Sequence, residues 1–398
     1  MRFIHVEDFF HPNAGYQLNL LSKLQAKQGH EVIIITSELD KMPDFLISFF
    51  GKEDISNKDK IFENNTGVKV IRHPIYSYFS GRSIFKPGLT KLIKSLLPDV
   101  LFIHGEDTLT GIKLLLSYHK MKIPYVLDCH MLEMGSENKF REFFRFFFRT
   151  FITPIILNNQ IPLIRVVDSN FVEKHFAIPL AKTKLLKFGT DTGHYKPNSL
   201  QKKVFRNENS IGENDFVVIY AGKLDVYKGG QFLADSLLKK IEIVDRKIQF
   251  ILIGNSAKDI YGLEVENTLN KSENNIIRFP TQTYSDLAMF YQSADIAIFP
   301  KQCSMSYYEV QSCQLPVVLE VNEINIDRVK NKKGLLFSEA SISEFTKKII
   351  EFGNMSESEF SVYKSNARQN ILKNYDYTPI AQEFTNVMVD EYKRYHKK

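Results

Sequence analysis

Two rhythms of apolar and polar positions alternate along this chain. Short runs of β-branched and aromatic residues read as strands buried on both faces, and stretches with apolar residues every three or four positions read as helices. In the first half, strands are predicted at Phe3–Val6, Val32–Thr36, Val68–Arg72, Val100–His104, Tyr125–Asp128, Leu163–Asp168 and Lys184–Phe188, with helices such as Tyr16–Gln28 between them. In the second half they are predicted at Phe216–Ala221, Ile248–Ile253, Ile276–Phe279, Asp295–Phe299 and Val317–Glu320, with helices at Lys228–Val244, Thr283–Gln292 and Ser306–Gln314. Such alternation predicts a parallel α/β protein. Residues 38–66 break the rhythm and read as an insertion or long loop. The polar stretch 198–214 reads as a linker. Two doubly wound lobes follow, with sites at the C-terminal ends of their strands. The tail, Tyr377-Thr378-Pro379 and then Ile380–Tyr395, reads as a helix with proline in its first turn.

Composition narrows the chemistry. The 398 residues carry a formal charge of +6, and residues 1–195 hold most of it, with 25 Lys+Arg against 20 Asp+Glu. That bias fits anionic ligands or an anionic lipid surface better than sequence-specific DNA binding. Cys129, Cys303 and Cys313 form no C-x-x-C pair and no zinc-spaced cluster, which points to a reducing compartment without a structural metal. The N-terminus meets acidic residues at once, unlike a signal peptide, and no apolar run reaches membrane-spanning length. The P-loop, G-x-G-x-x-G, H-E-x-x-H, G-x-S-x-G and D-x-D patterns are all absent, against kinases, dehydrogenases, zinc hydrolases and serine hydrolases.

Three segments carry candidate chemistry. His11-Pro12-Asn13-Ala14-Gly15-Tyr16 joins a strand to a helix and brings backbone N–H groups to a helix start, either an anion site or an ordinary turn. In Ala221-Gly222-Lys223-Leu224-Asp225-Val226-Tyr227-Lys228-Gly229-Gly230, two lysines flank a tight turn and can converge on one diphosphate, or stay solvated. In Phe299-Pro300-Lys301-Gln302-Cys303-Ser304-Met305-Ser306-Tyr307-Tyr308-Glu309, a strand feeds a helix. Ser306-x-x-Glu309 fits a capping box, and also a helix start that takes a phosphate while Glu309 accepts ribose hydroxyls.

Together these segments resemble the retaining glycosyltransferases of family 4, glycosyl transferases group 1, over nearly the whole chain. Asn13-Ala14-Gly15 followed by Gly29-His30-Glu31-Val32 resembles the family's opening loop and "GHEV" strand start. Gly222-Lys223 and Lys228-Gly229 resemble its "GR…KG" segment, Ile253-Gly254 its "VG" strand end, and Ala294-Asp295-Ile296…Pro300 with Glu309…Leu315-Pro316-Val317-Val318 its "ADv…P…EA…G.PVV" run. The resemblance implies the GT-B fold: two Rossmann-like doubly wound parallel-sheet α/β domains facing across a cleft. They are expected at 1–197 for the acceptor and 198–376 for the nucleotide sugar, with the tail 377–398 crossing back to the first. It also implies transfer of a sugar from a nucleoside diphosphate sugar, UDP favoured, to an acceptor hydroxyl with retained configuration, with no cofactor and no metal.

The same resemblance assigns residues. Gly15 approaches the donor phosphate, and Lys223 and Lys228 neutralise the diphosphate. Ser304, Met305 and Ser306 offer backbone N–H groups, Glu309 holds the ribose, and His130 lies at the donor sugar and the reacting face. Three departures stand out. Lys223 replaces a common arginine and loses its bidentate fork. Phe188 stands where asparagine is frequent. Lys301 stands where the family has a sugar-contacting glutamate, which leaves open an acidic sugar or a role for Gln302. A nucleotide-sugar 2-epimerase of the same fold and a non-catalytic partner subunit are the rival readings.

Residues 139–152 are the most unusual stretch. Phe140, Phe143, Phe144, Phe147, Phe148 and Phe151 share one helical face, and Arg141, Arg145 and Arg149 form a row beside it. The pattern fits a peripheral contact with an anionic membrane through Arg141, Phe144, Arg145, Phe148 and Arg149, or a helix packed in the core. The membrane reading implies a lipid-linked acceptor at the inner face of the plasma membrane, in bacterial surface polysaccharide synthesis. No nucleic-acid partner is expected.

Overall fold

The computed structural model describes residues 1–42, 51, 53–79, 82–130, 141–301 and 306–397. The chain folds as two compact units, Met1–Phe188 with Tyr377–Lys398, and Gly189–Asp376. Residues 189–197 therefore fall in the second unit, where Tyr195 is fully buried in the core.

The first unit is built on strands β1 (Arg2–Val6), β2 (Glu31–Ser37), β3 (Lys69–His73), β6 (Val100–His104), β7 (Tyr125–Cys129), β8 (Leu163–Arg165) and β9 (Thr183–Leu185). Between β3 and β6 lies a hairpin of β4 (Ile75–Phe79) and β5 (Arg82–Phe85). The main sheet is parallel throughout, in the order β3-β2-β1-β6-β7-β8-β9. Runs such as Val32–Ile35 and Val100–Ile103 are buried on both faces, which is why they read as continuous apolar stretches.

The second unit holds β10 (Phe216–Ala221), β11 (Ile248–Ile253), β12 (Ile276–Phe279), β13 (Ile296–Phe299), β14 (Val317–Glu320) and β15 (Gly334–Phe337), parallel in the order β12-β11-β10-β13-β14-β15. In each sheet the strand order reverses at one place, between β1 and β6 and between β10 and β13. Ligands of doubly wound sheets bind outside the carboxyl ends of the strands at such a switch point.

The stretch 198–214 is not a linker. Ser199–Glu208 is a helix capped by the Asn198 side chain, which accepts from the Gln201 N–H at 3.1 Å. Phe205 is buried, and Lys202 and Arg206 both pair with Asp295 at 2.8 Å. Two of the charges that made the stretch look solvated face a half-buried carboxylate. Part of 38–66 is likewise helical, at Ile55–Thr66. The tail forms the helix Tyr377–His396, which packs on the first unit through Phe384 against Phe102, with ring centroids 6.1 Å apart, and through Lys184 paired with Glu383 at 2.6 Å.

The aromatic stretch divides differently from its periodicity. Phe148 is fully buried and stacks on Phe176 at 4.0 Å, and Phe144 and Phe147 pack against the same core. Arg145 is buried and paired with Glu142 at 2.7 Å. Arg149 donates to the carbonyls of His175 and Lys174, at 2.8 and 2.6 Å, and so caps the end of helix Phe171–Phe176. Phe144, Phe148 and Arg145 thus face the protein, correcting their lipid-facing assignment, whereas Arg149, held on those carbonyls, and Arg141, beside Glu142 at 3.5 Å, stay exposed. Phe140 lies outside the described residues. The outward aromatics are Phe143, Phe146 and Phe151, 73%, 63% and 53% exposed. A π-helical turn at Phe148–Ile152 causes part of this shift. Pro154 has no N–H for the carbonyl four residues back, so the turn widens and Phe151 rotates outward.

Candidate functional site

The second unit brings its lysine loop to the β10/β13 switch point. Beyond β10, the loop lies against the exit of β11: Gly222 N–H donates to Ile253 O at 2.9 Å, Leu224 N–H to Asn255 O at 3.2 Å, and Ala257 N–H to Leu224 O at 3.3 Å. Tyr220 Oη donates to Lys223 O at 2.6 Å. This approach requires Gly254, whose φ is +134° and where a β-carbon would lie 1.9 Å from Gly222 O. Asp225 then folds the turn, accepting the Lys228 N–H on Oδ1 and the Gly230 N–H on its carbonyl, both at 2.9 Å. Helix Gly230–Ser236 starts here, two residues beyond Lys228. Burial lowers the pKa of Lys223, against a raising pull from Asp225.

The loops after β10 and β13 meet at Gly229. Its φ is +71°, and a β-carbon there would approach Lys301 Cβ to 3.2 Å and Pro300 Cβ to 3.4 Å. Lys301 is exposed at that junction. Ser304 and Met305 lie outside the described residues. Helix Ser306–Ser312 follows, with Glu309 one turn in and buried. Glu309 Oε2 accepts from Tyr291 Oη at 3.4 Å, so the carboxyl points into the unit's interior. Burial raises it to about 8, against a small lowering by Tyr291.

The first unit supplies Gly15 and His130. At the exit of β1, Ala14 N–H donates to His11 O at 3.0 Å, and the buried Asn19 side chain donates to the same carbonyl at 3.0 Å. Gly15 stands just before helix Gln17–Lys27. His130 follows β7 by one residue, with 39% of its side chain open. Its Nε2 donates to Asp128 Oδ2 at 3.1 Å, and the His104 Nδ1 reaches the same oxygen at 2.7 Å. Gly105 N–H donates to Oδ1 at 2.9 Å. Burial would raise the Asp128 carboxyl, but the two histidines more than reverse this and hold it far below the usual range. Burial also works against charge on His130. Asp128, Glu7 and Glu106 outweigh it and raise His130 to about 9, which makes it a cation at neutral pH.

Acids crowd this end of the sheet. Burial lifts Glu7 to about 7 and Glu106 well above the carboxylate range. Asp107 pairs with Arg82 at 3.5 Å. Atoms of His104, Asp128 and His130 lie within 4.8 Å of one another, a spacing a metal ion could bridge, yet the same atoms are engaged in the hydrogen bonds just described.

His5, His104, Glu7 and Asp128 were not singled out by sequence reasoning. Their signal was present: polar residues at alternate positions near the ends of otherwise apolar strands, which share one face of the sheet.

Residues 15–159 match the family model described as Glycosyltransferase Family 4, and residues 215–354 match the model described as Glycosyl transferases group 1. The chain is similar to a glycosyltransferase from Rickettsia africae ESF-5, at 14% identity and TM-score 0.73, over 100% of this chain and 99% of that one. It is similar to Anabaena Alr3699/HepE in complex with UDP and glucose, at 16% identity and TM-score 0.69, over 98% and 100%. It is also similar to WaaG, a glycosyltransferase involved in lipopolysaccharide biosynthesis, at 14% identity and TM-score 0.63, over 97% and 99%. At such identities the likeness concerns the fold. No curated protein matches the chain.

Proposed function

Because this chain belongs to the family 4 glycosyltransferases, enzymes of the GT-B fold, we propose that it moves a sugar from a uridine diphosphate sugar to an acceptor hydroxyl with retained configuration. The observation that carries the reading is the junction at Gly229, where the turn bearing Lys223 and Lys228 closes on Lys301 at the β10/β13 switch point. Two ammonium groups and a helix start match the charge of a diphosphate. HepE, of the same fold, was solved with UDP and glucose, which supports UDP as the nucleotide.

The bond between the anomeric carbon and the diphosphate oxygen breaks, and the acceptor oxygen bonds to that carbon on the same face. The acceptor proton goes to the departing phosphate oxygen, so the protein need supply no base. Its task is to stabilise the growing negative charge, which fixed cations do without reorganising. His130 suits that task. A histidine that stays protonated at neutral pH makes a poor base and a good electrostatic partner. This route uses no metal and no cofactor.

The acceptor we propose is a lipid-linked glycan of bacterial surface polysaccharide synthesis, met at the inner face of the plasma membrane. No helix among the described residues is long and apolar enough to cross a membrane. Contact with lipid is assigned to Phe143, Phe146 and Phe151 beside Arg141, the aromatics that the fold leaves exposed.

A thermal-shift and transfer assay tests the whole reading. UDP at 100 times its dissociation constant adds about 2.7 kcal/mol of stability. Transfer occurs from the UDP-sugar to a lipid-linked glycan. A protein that ignores UDP, or that converts a UDP-sugar alone into its epimer, overturns it.

A further inference from the structure

Five polar side chains form one hydrogen-bonded row through the first unit. Gln25 Oε1 lies 2.8 Å from His5 Nε2, His5 Nδ1 2.9 Å from His104 Nε2, His104 Nδ1 2.7 Å from Asp128 Oδ2, and that oxygen 3.1 Å from His130 Nε2. The first four residues are buried, and only His130 reaches the surface. The row runs between apolar layers, with Phe102 beside both His5 and His104 and the helix Tyr377–His396 packed over it. A polar row at such a place needs every donor matched to an acceptor.

That requirement determines the protons. Gln25 Nε2 faces Met388 Sδ at 3.2 Å. A thioether only accepts, so the Gln25 amide directs its NH2 there and its oxygen to His5. The oxygen only accepts, so His5 Nε2 carries a hydrogen. Burial and the neighbouring His104 keep His5 neutral, lowering it to about 3. Its Nδ1 is therefore bare, and His104 Nε2 must donate to it. Ionised Asp128 accepts from His104 Nδ1. Both ring nitrogens of His104 then carry hydrogens.

We infer that Gln25, acting through His5, holds His104 as an imidazolium, so that Asp128 stands between two cations and the row keeps a net positive charge at its open end, His130. The inference rests on the reading of His130 as a group that stabilises a departing diphosphate, and it makes Gln25 and His5 positioning residues for that step. Among the described residues, the other charged and titratable groups around the open end are Glu7 after β1, Glu106 and Asp107 after β6, Arg82 on β5, and Tyr377, buried near Asp128. Burial raises the Glu106 carboxyl well above the usual range, and Arg82 pairs with Asp107 at 3.5 Å.

Without the Gln25 oxygen, His5 would move its hydrogen to Nδ1 and donate to His104 Nε2. His104 would then be neutral, and the row would lose one unit of charge without any change at His130.

The test is nitrogen NMR of the full-length protein with 15N-labelled histidine rings, at pH 7.5, with His104 assigned by its loss in His104→Asn. Wild type is expected to show both His104 ring nitrogens protonated. Gln25→Leu shows one bare nitrogen, and Gln25→Glu, which retains an acceptor oxygen, restores the wild-type pattern. The kcat for sugar transfer falls about tenfold in Gln25→Leu, and UDP affinity is unchanged in both variants. A bare His104 nitrogen in wild type, or an unaltered kcat in Gln25→Leu, overturns the inference. A wild-type protein that binds no UDP instead overturns the proposed function, whatever its ring nitrogens show.

Discussion

Glu309 gives the fold a pH dependence that a single substitution removes. In the unfolded chain its carboxyl ionises near 4.5, and in the folded unit burial moves this to about 8. Below pH 4.5 both states hold the proton, and the group costs nothing. Above it the unfolded chain releases the proton and the folded one keeps it, so stability falls by about 1.4 kcal/mol per pH unit until the folded group ionises near 8. The total comes to about 5 kcal/mol, an order-of-magnitude figure for a fully enclosed carboxyl. Glu309→Gln keeps the shape and an oxygen for Tyr291 but cannot ionise. Urea unfolding of both proteins, followed by circular dichroism because the chain has no tryptophan, measures the difference. All other groups titrate alike in the two proteins and cancel. Between pH 5 and pH 8 the stability of Glu309→Gln relative to wild type is expected to rise by about 4 kcal/mol. A difference that stays constant across that window would refute the buried, protonated state.

Lys228→Ala and Lys223→Ala each weaken UDP binding about tenfold, the loss of one charge-assisted contact, as measured by calorimetry. Gly254→Ala drives a methyl into the Gly222 carbonyl and abolishes the UDP thermal shift while β10 and β11 stay folded; retention of the shift would show the loop to be tolerant. His130, raised to about 9, adds stability that is fully present below pH 6.5 and is lost as pH rises through 9. Asp128→Asn flattens that decline in thermal unfolding curves. Phe143→Ser with Phe146→Ser and Phe151→Ser lowers co-flotation with anionic liposomes and leaves the unfolding midpoint near wild type, whereas Phe148→Ser lowers the midpoint by opening the core.

Most strands of both sheets were legible because parallel strands buried on two faces must be apolar along their length, as in Phe216–Ala221 and Ile248–Ile253, whereas the edge strand Gly334–Phe337 was missed. The Gly222–Gly230 turn was legible because its glycines and lysines are local in sequence. Residues 198–214 misled, and 139–152 left a lipid face and a core face both open, for one shared reason: a charge or a phenylalanine carries no mark of what it will face. Lys202 and Arg206 look solvated until Asp295, more than eighty residues on, is folded beside them. Phe148 and Phe143 occupy one periodic face until a neighbouring helix buries the first and leaves the second bare.

By itself the sequence determined the fold class, most strand positions and the Gly222–Gly230 turn, since each rests on near neighbours and on residue type. Tertiary structure alone decided the charges. Gln25, His5, His104, Asp128 and His130 come from helix, strand and strand end across more than a hundred positions, and only their juxtaposition in an apolar layer fixes where the protons lie. Desolvation and pairing act through space, and a linear pattern holds no record of them.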